Sequence, residues 1–259
     1  MLKKSFHCVF FISMASGMIL SQEADSTAHH RKRLYPAPII YWSSDTKWAA
    51  GSELTCVIGG GPILRPTMVR AVAILTQKQH VSLSLGLDRY WDQNRYHAAG
   101  SIGYLNFPLT FYGIGNHTKS RSAESYTPRS ESLVLSYLKK ISDEFYLGGQ
   151  YELDDTRIVR IQTGGNLDTN AVPGKNSGVS SALGVAADWD TRDNILYPMH
   201  GRYYRVSFMP FLGSFGSHYK FTRLNFDLRQ YFPVWGSHVL AYQIYVNLIT
   251  GEPPFYKMS

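Results

Sequence analysis

The chain has 259 residues, long enough for one large all-β unit, and carries a formal net charge of +7. Charged residues reach only 17% against roughly 25% in a soluble domain, while aromatics reach 14% with 18 tyrosines, side chains suited to a boundary between oil and water. Lys and Arg are scattered singly among the strands, with no helix-borne basic stripe and no RNA- or DNA-binding signature, so the charge gives no footing for nucleic acid.

At the N-terminus, Lys3 and Lys4 precede a mostly apolar core from Val9 to Leu20. Small residues follow as candidate cleavage sites, either Ala15-Ser16-Gly17 or Ser21. Residues 1–21 are expected to be a secretory signal peptide, because the core is too short for a transmembrane helix. Residues 22–36 are expected to be a flexible periplasmic segment; it contains the densest basic group, Arg31-Lys32-Arg33, a solvated patch beside the membrane. No later stretch approaches 18 apolar residues, so any membrane crossing uses strands.

From 37 to 259 the chain alternates with period 2. Strands are predicted at 37–44, 49–58, 66–77, 80–91, 95–106, 129–140, 143–160, 179–190, 202–212, 218–232 and 238–249. Leu83, Leu85 and Leu87 alternate with Ser82, Ser84, Gly86 and Asp88. Likewise Leu224, Phe226 and Leu228 oppose Arg223, Asn225, Asp227 and Arg229. Successive side chains of a strand point to opposite faces, so each run has one oily and one polar face. Runs of about 9–11 residues match a tilted membrane strand, whereas soluble strands average about 5–6. A secreted sandwich or soluble barrel is the alternative. Lipid offers no partner for backbone groups, so a spanning sheet closes and turns its polar face to the lumen. Arg223, Asn225, Asp227 and Arg229 are therefore expected to line that lumen. The links 107–128 and 161–178 both leave odd-numbered strands, which places the long loops on one side and the N-terminus on the other.

Chemistry has little purchase. There is no nucleophile-elbow G-x-S-x-G, the nine His residues are dispersed without zinc spacing, and Gly59-Gly60-Gly61-Pro62 is a turn rather than a phosphate loop. Cys56 pairs with nothing once Cys8 leaves with the signal, and packs as an apolar residue. Asp88, Asp154 and Asp155 are expected to be solvated lumen carboxylates. The expectation is a non-enzyme with no metal or cofactor.

The segment Trp189-Asp190-Thr191-Arg192-Asp193-Asn194-Ile195-Leu196-Tyr197-Pro198-Met199-His200-Gly201 resembles the D-x-R-D…P-x-x-G turn of the BamA/TamA family of outer-membrane assembly and translocation factors. Gly213-Ser214 with Tyr219, Arg229-Gln230-Tyr231-Phe232-Pro233 and Gly251-Glu252-Pro253-Pro254-Phe255-Tyr256 follow in the family's order. Phe111-Tyr112-Gly113-Ile114-Gly115-Asn116 resembles a loop of barrel-only members. The resemblance implies an all-β, transmembrane antiparallel up-and-down β-barrel with about 11 of an expected 16 strands present. It implies that residue 259 falls where a large inward-folding loop begins, ahead of that loop's arginine-glycine-aromatic motif, the last five strands and the terminal aromatic signal. It also leaves no room for POTRA modules before the first strand.

In the turn, Asp190 and Asp193 are placed to bond backbone amides, Arg192 to bridge carboxylates, and Pro198 and Gly201 to set the bend. A structural turn and a contact to the inward loop are the two readings. Function by resemblance is the insertion or movement of proteins, or lipids, in the bacterial outer membrane. Outer-membrane lipid and unfolded outer-membrane proteins are the expected partners, and Ile39, Ile40, Tyr41, Trp42 and Ser43 form one side of a weak closing seam. A passive pore or structural barrel is the alternative; an outer-membrane hydrolase is a third reading, for which no turnover is expected.

Overall fold

The structure is a computed structural model describing residues 32–43, 46–60, 64–115, 123–169, 172–236 and 238–258. The expected signal peptide, residues 22–31, Gly61, Pro62 and Asn116 lie outside the described residues. The described strands are β1 (Lys32–Ser43), β2 (Lys47–Ile58), β3 (Thr67–Thr76), β4 (Val81–Trp91), β5 (Tyr96–Asn106), β6 (Leu109–Phe111), β7 (Glu124–Ser142), β8 (Phe145–Ile161), β9 (Gly178–Asp190), β10 (Gly201–Phe211), β11 (Lys220–Pro233) and β12 (Val239–Glu252). One short helix, α1 (Asn166–Thr169), lies between β8 and β9. All strands join one antiparallel sheet in chain order, with β6 capping β7, and β1 and β12 stand at the edges.

Two strand starts and one additional strand stand out against the sequence expectation. β1 starts at Lys32 instead of 37, so residues 32–36 are strand and not flexible segment. Pro36 and Pro38 lie within the strand, which stands at the edge of the described sheet, where proline is tolerated. β7 starts at Glu124, inside the expected 107–128 link, because the register shifts between Thr127 and Pro128 and the ladder resumes on the far side of the proline. The strand β6 in that link is three residues long, too short for any periodic signal.

The alternation translates into two unlike faces. Leu83, Leu85, Leu87, Ile102, Leu135, Leu147, Leu183, Val185, Phe208 and Ile244 are all exposed on the convex side. A soluble monomer rarely shows such a continuous apolar surface; lipid supplies its missing partner. The concave side carries the polar set, and long side chains meet there across intervening strands. Nδ1 of His97 in β5 lies 3.9 Å from Asp188 in β9, although three steps of a flat sheet would separate those strands by about 14 Å. The sheet is therefore strongly curled.

Aromatic rings gather on the convex side at one end of the strands. Trp91 stands 5.7 Å from Tyr96 and 5.8 Å from Tyr137, and Trp189 lies 6.1 Å from Tyr204. Arg202 sits 4.2 Å above Trp189. Such a girdle marks the level where hydrocarbon meets headgroups. At the opposite end the two long links knit together. The Glu124 carboxylate accepts the backbone amides of Asn166 (2.6 Å) and Leu167 (2.9 Å) at the start of α1. Leu167, Phe111, Tyr126 and Phe255 form one buried cluster beside it.

Replacing Leu85, which faces Ile102 in mid-sheet, by Arg should destabilise the protein by roughly 2–4 kcal/mol in equilibrium unfolding from phospholipid vesicles. Ser84→Arg, one residue along and on the other face, should change stability by no more than about 0.5 kcal/mol. Equal effects would reject lipid contact for the Leu85 face.

Candidate functional site

The signature turn leaves β9 at Asp190, which pairs with Tyr203 of β10. The amide of Thr191 donates to the Arg202 carbonyl (2.8 Å), and the Arg202 amide donates to Thr191 Oγ1 (3.0 Å). Gly201 adopts φ +101°, where a Cβ would strike the Thr191 carbonyl, so the closure needs glycine. Further out, the Asp193 carboxylate accepts amides from Met199 (3.0 Å) and His200 (3.2 Å). Asn194 Oδ1 accepts those of Leu196 and Tyr197. Pro198 sits between these two clasps and removes no donor from either. Partial burial works against ionisation of Asp193, but the amides of His200 and Met199 and the nearby His200 ring outweigh it and hold the carboxyl below the usual carboxylate range.

Asp190 is nearly inaccessible to solvent and lies between two guanidinium groups. Arg192 grips the carboxylate with Nε (2.9 Å) and Nη2 (2.8 Å), and its amide donates to the same side chain (3.2 Å). Arg65 reaches in from the link between β2 and β3, with Nη1 2.5 Å from the carboxylate and Nη2 2.9 Å from the Asp190 carbonyl. Each cation also lies over a tyrosine face, Arg192 on Tyr203 at 4.6 Å and Arg65 on Tyr90 at 5.0 Å. The Arg65 amide donates to Asn94 Oδ1 (3.0 Å) and Tyr146 Oη donates to the Asn94 carbonyl (2.7 Å), which ties in the link between β4 and β5. Arg192, expected to bridge carboxylates, clamps one, and Arg65 supplies the second cation. Nothing in the sequence pointed to Arg65, since its partner lies 125 positions away.

The network continues along the concave wall. Asp188 receives Arg205 Nη1 (3.0 Å) and the Tyr203 hydroxyl (3.3 Å), and His97 places Nε2 3.2 Å from Asp88 while stacking on Tyr90. Arg205 also donates to Gln150 (2.9 Å), which donates to Glu152 (2.7 Å), and Arg223 completes the chain by pairing with Glu152. Of the four predicted lumen residues, Arg223 thus crosses to β8, while Arg229 folds back on Asp227 (3.0 Å), which also accepts Gln243 (2.7 Å). Asn225 lies between them and lines a polar hollow of about 350 Å³ with Glu152, Asp154, Arg223, Tyr245 and Lys257. Asp88 and Asp154, expected to be solvated, are partnered by His97 and by Lys257 (3.0 Å). Among the described residues no group of three His, Cys, Asp or Glu is placed to hold a metal ion.

The seam residues Ile39, Ile40, Tyr41, Trp42 and Ser43 form the second half of β1, remote from this network. Among the described residues their ladder partner is β2 alone, and Ile40 and Trp42 are 72% and 57% exposed. Cys56 lies in β2 opposite Leu34, on the convex face.

The family model of the Omp85 superfamily domain matches residues 67–256 of this sequence. The chain belongs to the Omp85 superfamily. Its members are bacterial outer-membrane β-barrels, the class of fold described above. Among solved structures, the chain is similar to BamA from Haemophilus ducreyi lacking POTRA domains 1–3, at 16% identity and a TM-score of 0.49. That similarity covers 88% of this chain and 44% of the other, so the Omp85 chain described here spans less than half the length of that relative. A search of curated proteins gives no match.

Two outcomes follow for the turn. Asp190→Ala leaves two buried guanidinium groups without their anion and should cost about 3–5 kcal/mol in detergent-solubilised unfolding, far more than a surface change. Because the Asp193 carboxyl is held low, its contribution is fully present above the usual value of 3.8 and is lost as acid protonates it in the fold. The stability gap between the native protein and Asp193→Ala should therefore hold above the usual value of 3.8 and narrow as pH falls below it through the lowered value of the folded protein. A gap independent of pH would show that the charge plays no part.

Proposed function

We propose that this Omp85 barrel acts in the bacterial outer membrane to insert or translocate other polypeptides, with the free edge of β1 as the surface on which a client strand first pairs. The observation that carries this reading is the match to the Omp85 superfamily domain over residues 67–256, together with a sheet that turns one continuous apolar face outward, the exposed Ile40 and Trp42 of β1 included. Edge strands of that kind add a further strand readily. Family membership supplies the context, a barrel type of outer-membrane assembly and transport. In this reading residues 1–21 direct export and are removed, and residues 22–31 lead from the cleavage point to β1. The signature turn serves as a structural anchor, since Asp190 is taken up by Arg65 and Arg192 and Asp193 by the amides of Met199 and His200 rather than left open for a ligand.

A passive pore is the second reading, favoured by the polar hollow beside Arg223 and Asn225. Depletion of the full-length gene product separates the two. Under the assembly reading the levels of other outer-membrane proteins fall. If they hold steady while the purified protein conducts ions across planar bilayers, the pore reading replaces it.

A further inference from the structure

The aromatic girdle carries a cation that the fold leaves without an anion. Arg202, at the start of β10, faces the convex side, and the signature turn fixes its backbone. Its carbonyl accepts the Thr191 amide (2.8 Å) and its amide donates to Thr191 Oγ1 (3.0 Å). The guanidinium stands 4.2 Å from the Trp189 ring centre and 6.0 Å from that of Tyr204. Ring faces stabilise a cation but leave its charge and its N–H donors in place. Among the described residues the Arg202 side chain forms no hydrogen bond or ion pair. By contrast Arg192, Arg205, Arg223 and Arg229 each hold a carboxylate.

The surroundings exclude a protein anion. Register puts Trp189, Tyr204, Leu228 and Ile244 in one convex row, and Arg202, Gln230 and Tyr242 in the next. On the convex face of β9 to β12 the acidic residue is Glu252, at the opposite end of the sheet. Described strands flank Arg202 and Gln230 on both sides, so their surroundings do not depend on what adjoins β12.

Gln230, directly across the ladder from Arg202, supplies further donors. Its Oε1 accepts the hydroxyls of Tyr204 (2.6 Å) and Tyr242 (3.2 Å). That leaves the –NH2 of the carboxamide as its free end, with no acceptor among the described residues. Guanidinium and amide thus offer donors alone, half-buried at the level where hydrocarbon gives way to headgroups.

We infer that Arg202, Gln230 and Trp189 form a site for the phosphodiester of a membrane phospholipid, in the leaflet at the short-turn end of the strands. A phosphodiester carries one negative charge, and its two non-bridging oxygens match the parallel N–H pair of a guanidinium. The Gln230 amide donates to the same group. Below them the exposed Leu183, Val185 and Phe208 continue the apolar surface on which the acyl chains lie. Those chains hold the phosphate at this depth, whereas a free phosphate would leave water to come here and would cover none of the apolar rows. The site gives the protein a fixed lipid contact and does not rest on the proposed assembly role.

The test uses the full-length protein folded in dodecylmaltoside micelles and titrated with dioctanoylphosphatidylglycerol. A parallel titration uses dioctanoylglycerol, which has the same acyl chains and no phosphate, and native mass spectrometry reads the bound lipid. One phosphatidylglycerol should be retained about tenfold more tightly than dioctanoylglycerol, the effect of a charge-assisted pair. Arg202→Gln should remove that preference. Gln230→Glu should remove it too, since its carboxylate still accepts both tyrosine hydroxyls but takes the anion's place beside Arg202. Arg95→Gln should keep it, because Arg95, 5.6 Å from the Tyr96 ring in the same girdle, is already paired with Asp92 (3.8 Å). Equal retention of both lipids by the native protein, or a preference that survives either of the first two substitutions, overturns the site. Displacement by inorganic phosphate at the concentration that the lipid requires would overturn it as well, by showing an anion site with no membrane component. Each of these results leaves the assembly role standing, since none measures client insertion.

Discussion

In hydrocarbon an unpaired backbone N–H or C=O has nothing to bond, and this constraint governs the whole molecule. It forces every interior strand to be laddered on both sides, as the unbroken chain-order path from β1 to β12 shows. It also makes register unforgiving, because a one-residue slip exchanges the two faces of a strand. For β11 a slip would carry Arg223, Asp227 and Arg229 from the concave wall into lipid and bring Leu224, Phe226 and Leu228 inward. Backbone pairing and side-chain sorting are thus two consequences of one solvent.

Once polar groups are confined to the concave side, they must satisfy one another there. The result is a network of alternating sign that runs from Arg65, Asp190 and Arg192 through Asp188, Arg205 and Gln150 to Glu152 and Arg223. Ion pairs of this type contribute little net stability, since desolvation offsets much of the attraction, but each is costly to break. Their effect is to specify which strands meet across the lumen, and hence how tightly the sheet curls. The long-loop end is pinned separately, by Glu124 at the start of α1 and by Phe255 packing on Phe111 and Tyr126. With both ends of the strands secured, the freedom that remains is at the edges.

That contrast suits an assembly role. A wall held by buried ion pairs keeps its shape, while β1 is laddered to β2 alone among the described residues.

Much of this was readable from the amino-acid sequence. Period-2 alternation placed the eleven main strands within a few residues of their observed bounds, because in an antiparallel sheet the two faces meet different solvents and the chemistry must alternate. Within the signature turn the roles expected of Asp193 and Gly201 were legible, as both act on backbone groups only a few residues away, whereas the part played by Asn194 was not read. The early start of β1 and the passage of β7 through Pro128 were not, since whether a proline is tolerated depends on where its missing N–H points. Nor was the joining of Arg65 to Asp190, of His97 to Asp88 and Asp188, or of Arg223 to Glu152. Local pattern determines which face a side chain occupies; only the curvature of the sheet decides which distant side chain it meets there, because that partner is chosen by distance across the concave side and not by spacing along the chain.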